Sequence, residues 1–223
     1  MKSKIPYYFI APALILLFLF SLLPIVIALI ISFTDMNLVG LADWSKINFT
    51  GIENYIDIIK DPIFQKSIIN TLFYVIIGVP LVIIISLGIA LLINFGKSRI
   101  FKFFRAVFYM PSITNVVAVA VVWSYLFNPQ IGLFNYILNS IGLPSVPWLT
   151  DPTVAKISLI ILAVWRAIGL NMIIFLAALQ GIPKTYYEAA QLDGANTIQQ
   201  LFKITIPLLS FAIFFVSITT MIG

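Results

Sequence analysis

Few side chains in this sequence can do chemistry, and which ones are missing narrows the possibilities. There is no histidine and no cysteine. That removes imidazole general bases, thiolate nucleophiles, the usual zinc ligands and any disulfide framework. Charged residues make up only 9% of the chain, against roughly 25% in soluble domains. They avoid the long apolar stretches, with one exception, Arg166. The residues inside those stretches that could meet a polar solute are Asn115, Trp165, Arg166 and Asn171. Amide groups and aromatic faces suit a hydroxyl-rich ligand, while packing between helices is the plainer role for each. No Asp or Glu interrupts an apolar stretch. An ion-coupled carboxylate relay, or the acid–base pair of a membrane enzyme, therefore lacks its groups.

The other chemically marked stretch is polar, Gln180 to Pro207, reading QGIPKTYYEAAQLDGANTIQQLFKITIP. Pro183 suits the first turn of a helix, where a missing N–H costs nothing. The spacing predicts a short helix from Lys184 to about Asp193. Gly194 follows where helices commonly end in a left-handed residue. Thr197 opens a second helix, with Gln200 completing a capping-box pattern. That helix leads into an apolar span at Ile204. Ala189, Ala190 and Gly194 keep the first helix slim enough to enter a groove. Glu188 is expected to place a charge near a helix N-terminus, where the macrodipole favours it. The plainer reading is an amphipathic loop at a membrane surface.

Glu188, Ala189, Ala190, Gly194, Ile204, Ile206 and Pro207 resemble, in type and spacing, the signature loop of permease subunits of binding-protein-dependent ABC importers. Ile206 stands where that family usually has Leu, a conservative departure. Several other fragments resemble the sugar-type members: Ser32-Phe33-Thr34-Asp35, Phe49 to Tyr55, Asp61-Pro62-Ile63-Phe64, Asn70-Thr71, Gly132 to Asn135, and Trp148 to Pro152. The resemblance runs from Pro6 to Gly223. It implies that the loop is the coupling element docking into a cleft of an ATP-hydrolysing subunit. Glu188, Ala189, Ala190, Gly194, Ile204 and Pro207 are then its coupling residues. It also implies the partners: two ATP-binding cassette subunits, a second permease and an extracytoplasmic solute-binding protein. Permeases of this kind complete a fifth span and add a sixth, so the expectation is a chain truncated at its C-terminus, five spans present of six.

The elements that must position these residues are membrane helices. Of the 223 residues, 61% are hydrophobic, and mean hydropathy is +1.10. The chain is expected to be an all-α membrane protein, a polytopic helix bundle with lipid as its solvent. A crossing needs about 20 apolar residues. Spans are predicted over about 7–33, 67–95, 106–127, 157–179 and 204–223, with a cytoplasmic coupling loop over 180–203. Pro12 and Pro24 fall inside the first span, which carries no small-residue cleavage site of a signal peptide. A kink is expected at Pro80, and Gly78 and Gly88 are expected to let neighbouring helices approach. Residues 36–66 read as a polar loop, and 131–138 as a short interfacial helix. Arg166 lies roughly 14 Å into its span at 1.5 Å per residue. It either faces a bundle interior or reaches back to the headgroups.

Lys and Arg distribution sets the orientation. The N-terminal tail carries Lys2 and Lys4, and the 96–106 connection carries Lys97, Arg99, Lys102 and Arg105. The longer 36–66 loop has three and the 128–156 loop one. Positive-inside placement puts the N-terminus, the 96–106 connection and, by alternation, the Glu188 loop in the cytoplasm. The interleaved Phe101, Phe103 and Phe104 fit rings in the headgroup layer rather than nucleic-acid binding. No phosphate-binding GxxxxGK[ST] loop is present, so ATP binding is expected in a separate chain, and no cofactor or metal is expected here. Abundant Ile, Asn and Lys point to an AT-rich bacterial genome. The function expected is permease of an ATP-driven importer for a sugar or related polar solute. The alternatives are an ion-gradient-driven secondary transporter and a non-transporting membrane fragment.

Overall fold

The computed structural model describes residues 5–36, 47–96 and 99–222. Lys2, Lys4, Lys46 and Lys97 of the charge count, and Gly223, lie outside the described residues. The chain divides into two compact units, Met1–Ile69 and Asn70–Gly223, taken here one at a time. Among the described residues the only extended pairing is an isolated antiparallel bridge, Thr34 with Phe49.

In the first unit, α1 (Ile5–Leu17), a π-turn (Phe18–Leu22) and α2 (Leu23–Ile31) form one continuous apolar rod. Its span is Tyr7–Ile31, two residues shorter than expected. Its side chains are exposed along its length, as suits a helix that meets lipid. The stretch after it is more than a polar loop. It contains α3 (Glu53–Lys60), and the next long helix begins at Pro62 rather than at 67. Gly51 turns the chain at φ +63°. Asn54 then donates to the carbonyls of Ser32 and Thr34, at 2.9 and 2.8 Å. These carbonyls lie at and just beyond the C-terminal cap of α2, where no helical partner reaches them. Asn48 holds Asp35 through its backbone N–H and side-chain amide, at 2.7 and 3.0 Å. The side-chain bond and then the backbone bond from Asn48 draw the Asp35 carboxyl below its ordinary range.

The second unit is built around α9 (Pro152–Gln180), which Asp151 caps by accepting from the N–H groups of Thr153 and Val154. The helix is longer than the expected 157–179 because Pro152 sits at its first position, where proline is tolerated. Around it pack α5 (Val79–Phe95), α6 (Arg99–Ile113) and α13 (Ser210–Ile222). Ala90, Ile93, Met172, Phe175, Leu179, Leu209 and Val216 form the buried cluster joining α5, α9 and the last helices. A second cluster of Val82, Ile160 and Val164 continues the α5–α9 seam.

Several prolines sit within continuous helices. No break occurs at Pro80: Pro62–Asn94 is one apolar helix, made of α4 (Pro62–Phe73), a π-turn (Tyr74–Gly78) and α5. Pro24, Pro80 and Pro207 each follow a π-turn, at Phe18–Leu22, Tyr74–Gly78 and Leu201–Thr205. In each case the carbonyl four residues before the proline lies inside that turn. A proline ring crowds this carbonyl and offers it no N–H. Widening the helix by one residue moves the carbonyl aside and lets the helix run through the proline.

Two expected spans are bent. The stretch 106–127 is split between α6 and α7 (Val116–Leu126), which meet at 99°. The stretch 204–223 is split at Leu209, with a 64° bend before α13. Among the described residues three helices are long and apolar enough to cross a membrane, or five if each bent pair is one span. The basic aromatic segment is the first half of α6 rather than a separate connection. The short helix after α7 is α8 (Leu133–Ser140), slightly later than expected.

Candidate functional site

The four candidate solute-path residues part company in the structure. Asn115 sits at the α6–α7 bend, where its side chain accepts from the Val117 N–H at 2.8 Å. It is a helix cap, and its amide serves its own backbone. Trp165 packs against Trp123 in a tilted arrangement, ring centroids 5.2 Å apart. It extends an aromatic cluster of Trp123, Phe127, Phe134 and Trp148. Arg166 and Asn171, by contrast, line one cavity of about 560 Å³. Its wall comes from the end of α4, the π-turn and the start of α5, the middle of α9, the end of α6 and the end of α13. That size falls within the ~300–1,000 Å³ typical of small-ligand cavities.

Arg166 is the central residue of the 29-residue α9. Fourteen residues on each side put either helix end about 21 Å away at 1.5 Å per residue. Its backbone is fixed by Ser112, whose hydroxyl donates to the Arg166 carbonyl at 2.9 Å and accepts from Leu170 N–H at 3.2 Å. This bond exists because Gly169 lets α6 touch α9. A Cβ on Gly169 would collide with the Phe108 carbonyl, and would lie 2.7 Å from both Ser112 Oγ and Tyr109 Cα. Asn171 donates to the Ala167 carbonyl at 3.0 Å and reaches Thr220 at 3.5 Å. Thr71, Tyr74, Ser112, Thr219 and Thr220 are the polar wall residues that sequence reasoning passed over. Hydroxyls inside apolar spans were the available signal. Among the described residues the wall carries no carboxylate, so a proton or cation relay finds no acidic group among them.

The polar loop forms α10 (Lys184–Leu192), a glycine turn and α11 (Thr197–Gln200). Gly194 has φ +80°. The Ala195 N–H bonds the Ala190 carbonyl at 2.8 Å, and the Gly194 N–H the Gln191 carbonyl at 3.0 Å. These two bonds make a Schellman end, with the left-handed residue supplied by glycine. The capping box is Asn196 with Gln199, one residue ahead of the expected Thr197 and Gln200. Pro183 is the residue before the helix, and Lys184 opens it. Glu188 is therefore the fifth helical residue, past the first turn where the dipole acts. The dipole argument for it does not hold. Glu188 and Ala189 are exposed and Ala190 is half-buried. Beyond them Leu192 is 90% and Ile198 68% exposed, so the tip presents apolar side chains outward. At the base, Thr205, buried, bonds the Tyr187 hydroxyl at 3.0 Å. Ile204 and Pro207 belong to the π-turn and α12 (Ile206–Leu208), which carry the loop into the last helix.

Residues 62–223 match the family described as binding-protein-dependent transport system inner membrane component. The chain is 35% identical over 220 residues to the lactose transport system permease protein LacF of Rhizobium radiobacter, covering 97% of this chain and 71% of LacF. It is 35% identical over 226 residues to the arabinooligosaccharides transport system permease protein AraP of Halalkalibacterium halodurans, covering 100% of this chain and 68% of AraP. It superposes with TM-score 0.77 and 26% identity on a bacterial ABC transporter involved in the import of the acidic polysaccharide alginate, covering 97% of this chain and 71% of that one. With the bent helices, the solute-sized cavity and the outward loop in place, the chain belongs to the binding-protein-dependent transport system inner membrane components, the multi-pass permease subunits of ABC importers.

Proposed function

We propose that this permease carries a saccharide or closely related polar solute, and that the loop 180–203 couples it to ATP hydrolysis in partner subunits. The relatives above are named for lactose and arabinooligosaccharides. A superposing transporter was solved in complex with an alginate pentasaccharide-bound periplasmic protein, which supports a solute-binding protein as one partner here. Two ATP-binding subunits and a second permease complete the proposed assembly. The N-terminus and the loop face the cytoplasm, where ATP is.

The observation that carries the coupling role is the shape of α10 and its end. A slim, nine-residue helix stops sharply at a left-handed glycine, with Glu188, Ala189 and Leu192 all exposed. Its base is tied to the last helix through Tyr187 and Thr205. Such a hook can enter a cleft and pull on the helix behind it. Nucleotide-driven closure of the partner ATPases would then bias the permease between two conformations.

The test uses the transporter assembled with its partners. Glu188→Gln and Gly194→Val should lower uptake and solute-stimulated ATPase activity at least tenfold. Membrane insertion, read by immunoblot, should persist. Wild-type coupling in both variants would overturn the assignment.

A further inference from the structure

The cavity beside α9 has an electrostatic character that its size alone does not convey. Among the described residues Arg166 is the one charged residue in its wall, and no Asp or Glu joins it there. A guanidinium carries a permanent positive charge. At the centre of a membrane-crossing helix such a charge is costly, and it persists where function uses it.

The surroundings hold the backbone that carries this charge. Ser112 fixes the Arg166 backbone from across the α6–α9 contact, through the bonds of 2.9 and 3.2 Å already described. Asn171, one turn along α9, has its amide N–H groups directed to Ala167 and Thr220. The cavity wall thus sets a cation, carried on a fixed stretch of backbone, among hydroxyl and amide groups. A guanidinium presents parallel N–H donors whose geometry matches a carboxylate bidentately. Sugar hydroxyls can occupy the amide and hydroxyl partners, but they leave the cation uncompensated.

We propose that Arg166 makes this permease selective for an acidic saccharide, one bearing a carboxylate that docks on the guanidinium during passage. This rests on the saccharide reading above and narrows it to a charge class.

The experiment is uptake by cells carrying the transporter with all its own partner subunits, against a strain lacking it. The probes are di- and trisaccharides of uronic acids, each paired with the same saccharide whose carboxylate is reduced to a primary alcohol. Wild type should take up at least one acidic member tenfold faster than its reduced partner. In Arg166→Gln that ratio should collapse towards one. Arg166→Lys, which keeps the charge and loses the fork, should retain the preference at a lower rate. The solute-binding protein is the same in every strain, so a change in ratio reports on the permease. Wild type carrying the reduced member in preference to the acid overturns the proposal and leaves the saccharide reading standing. An unchanged ratio in Arg166→Gln has the same consequence. Uptake of neither member of any pair overturns the acidic-saccharide proposal, and if lactose and arabinooligosaccharides also fail to enter, the saccharide reading falls with it. Where Arg166→Gln fails to accumulate, the wild-type ratio and Arg166→Lys decide.

Discussion

Gly194 illustrates how one residue constrains the loop through its backbone alone. Nothing lies within 4 Å of where its Cβ would be, so bulk is not the obstacle. The obstacle is φ +80°, which costs an ordinary L-residue about 1–2 kcal/mol. Asn tolerates that region best among the alternatives, and a β-branched residue tolerates it least. Solute-stimulated ATPase activity of the assembled transporter should therefore fall in the order Gly, Asn, Ala, Val at position 194. Equal loss in all three variants would mean that the partner cleft, not the turn, rejects the side chain. The turn was legible in the sequence because glycine at a helix end has one common use. The capping box was ambiguous because two overlapping pairs fit the same pattern, Asn196 with Gln199 and Thr197 with Gln200. Asn caps at least as well as Thr, so the cap sits one residue ahead while Thr197 still opens the helix. Glu188 misled for a different reason: the helix starts at Lys184 as its spacing predicts, but the dipole's reach ends within the first turn, before Glu188.

Between elements, the decisive contact is the crossing of α6 over α9 at Gly169. Gly78 and Gly88 looked like the sites of close approach, yet neither has any atom within 4 Å of its Cβ position. A small residue permits contact, but only the partner helix decides whether contact occurs, and the partner is not written in the local sequence. Gly169→Ala should push the helices apart and release the Ser112 bonds to Arg166 and Leu170. A loss of about 1–3 kcal/mol is expected from overpacking, read as a lowered unfolding midpoint of the purified chain in detergent. Ser112→Ala should cost less, about 0.5–1.5 kcal/mol, because the backbones keep their spacing. A Gly169→Ala variant as stable as wild type would show that the crossing is looser than described. The same scale explains the family-like fragments around residues 132 and 148. Asn135, buried, donates to the Pro129 and Val146 carbonyls and accepts from Val146 N–H and Trp148 Nε1, all at 2.9–3.0 Å. Its amide is satisfied within the loop that it staples, so this motif is architectural and offers nothing to a solute.

For the whole molecule, the question is which side each end of α9 faces. Composition alone made this a membrane helix bundle, because no soluble core could hide so much apolar surface. The bends at residue 115 and at Leu209 were not legible, since an apolar run reads the same whether straight or folded back. Orientation rests on few charges, several of them outside the described residues, and it calls for a direct measurement. The chain contains no cysteine, so single cysteines can be placed without background. Leu192 stands at the loop tip after α9, and Tyr136, also exposed, lies on α8 before it. At 1.5 Å per residue α9 is about 43 Å long, more than the roughly 30 Å of hydrocarbon it must cross. Tyr136→Cys should react with a membrane-impermeant maleimide in intact cells. Leu192→Cys should react only in inside-out vesicles. Labelling of both from one side would mean that α9 does not cross, and Arg166 would then lose its place at mid-depth. The opposite pattern, with Leu192→Cys outside, would keep the crossing but separate the hook from any ATP-driven partner, and the coupling role would fall.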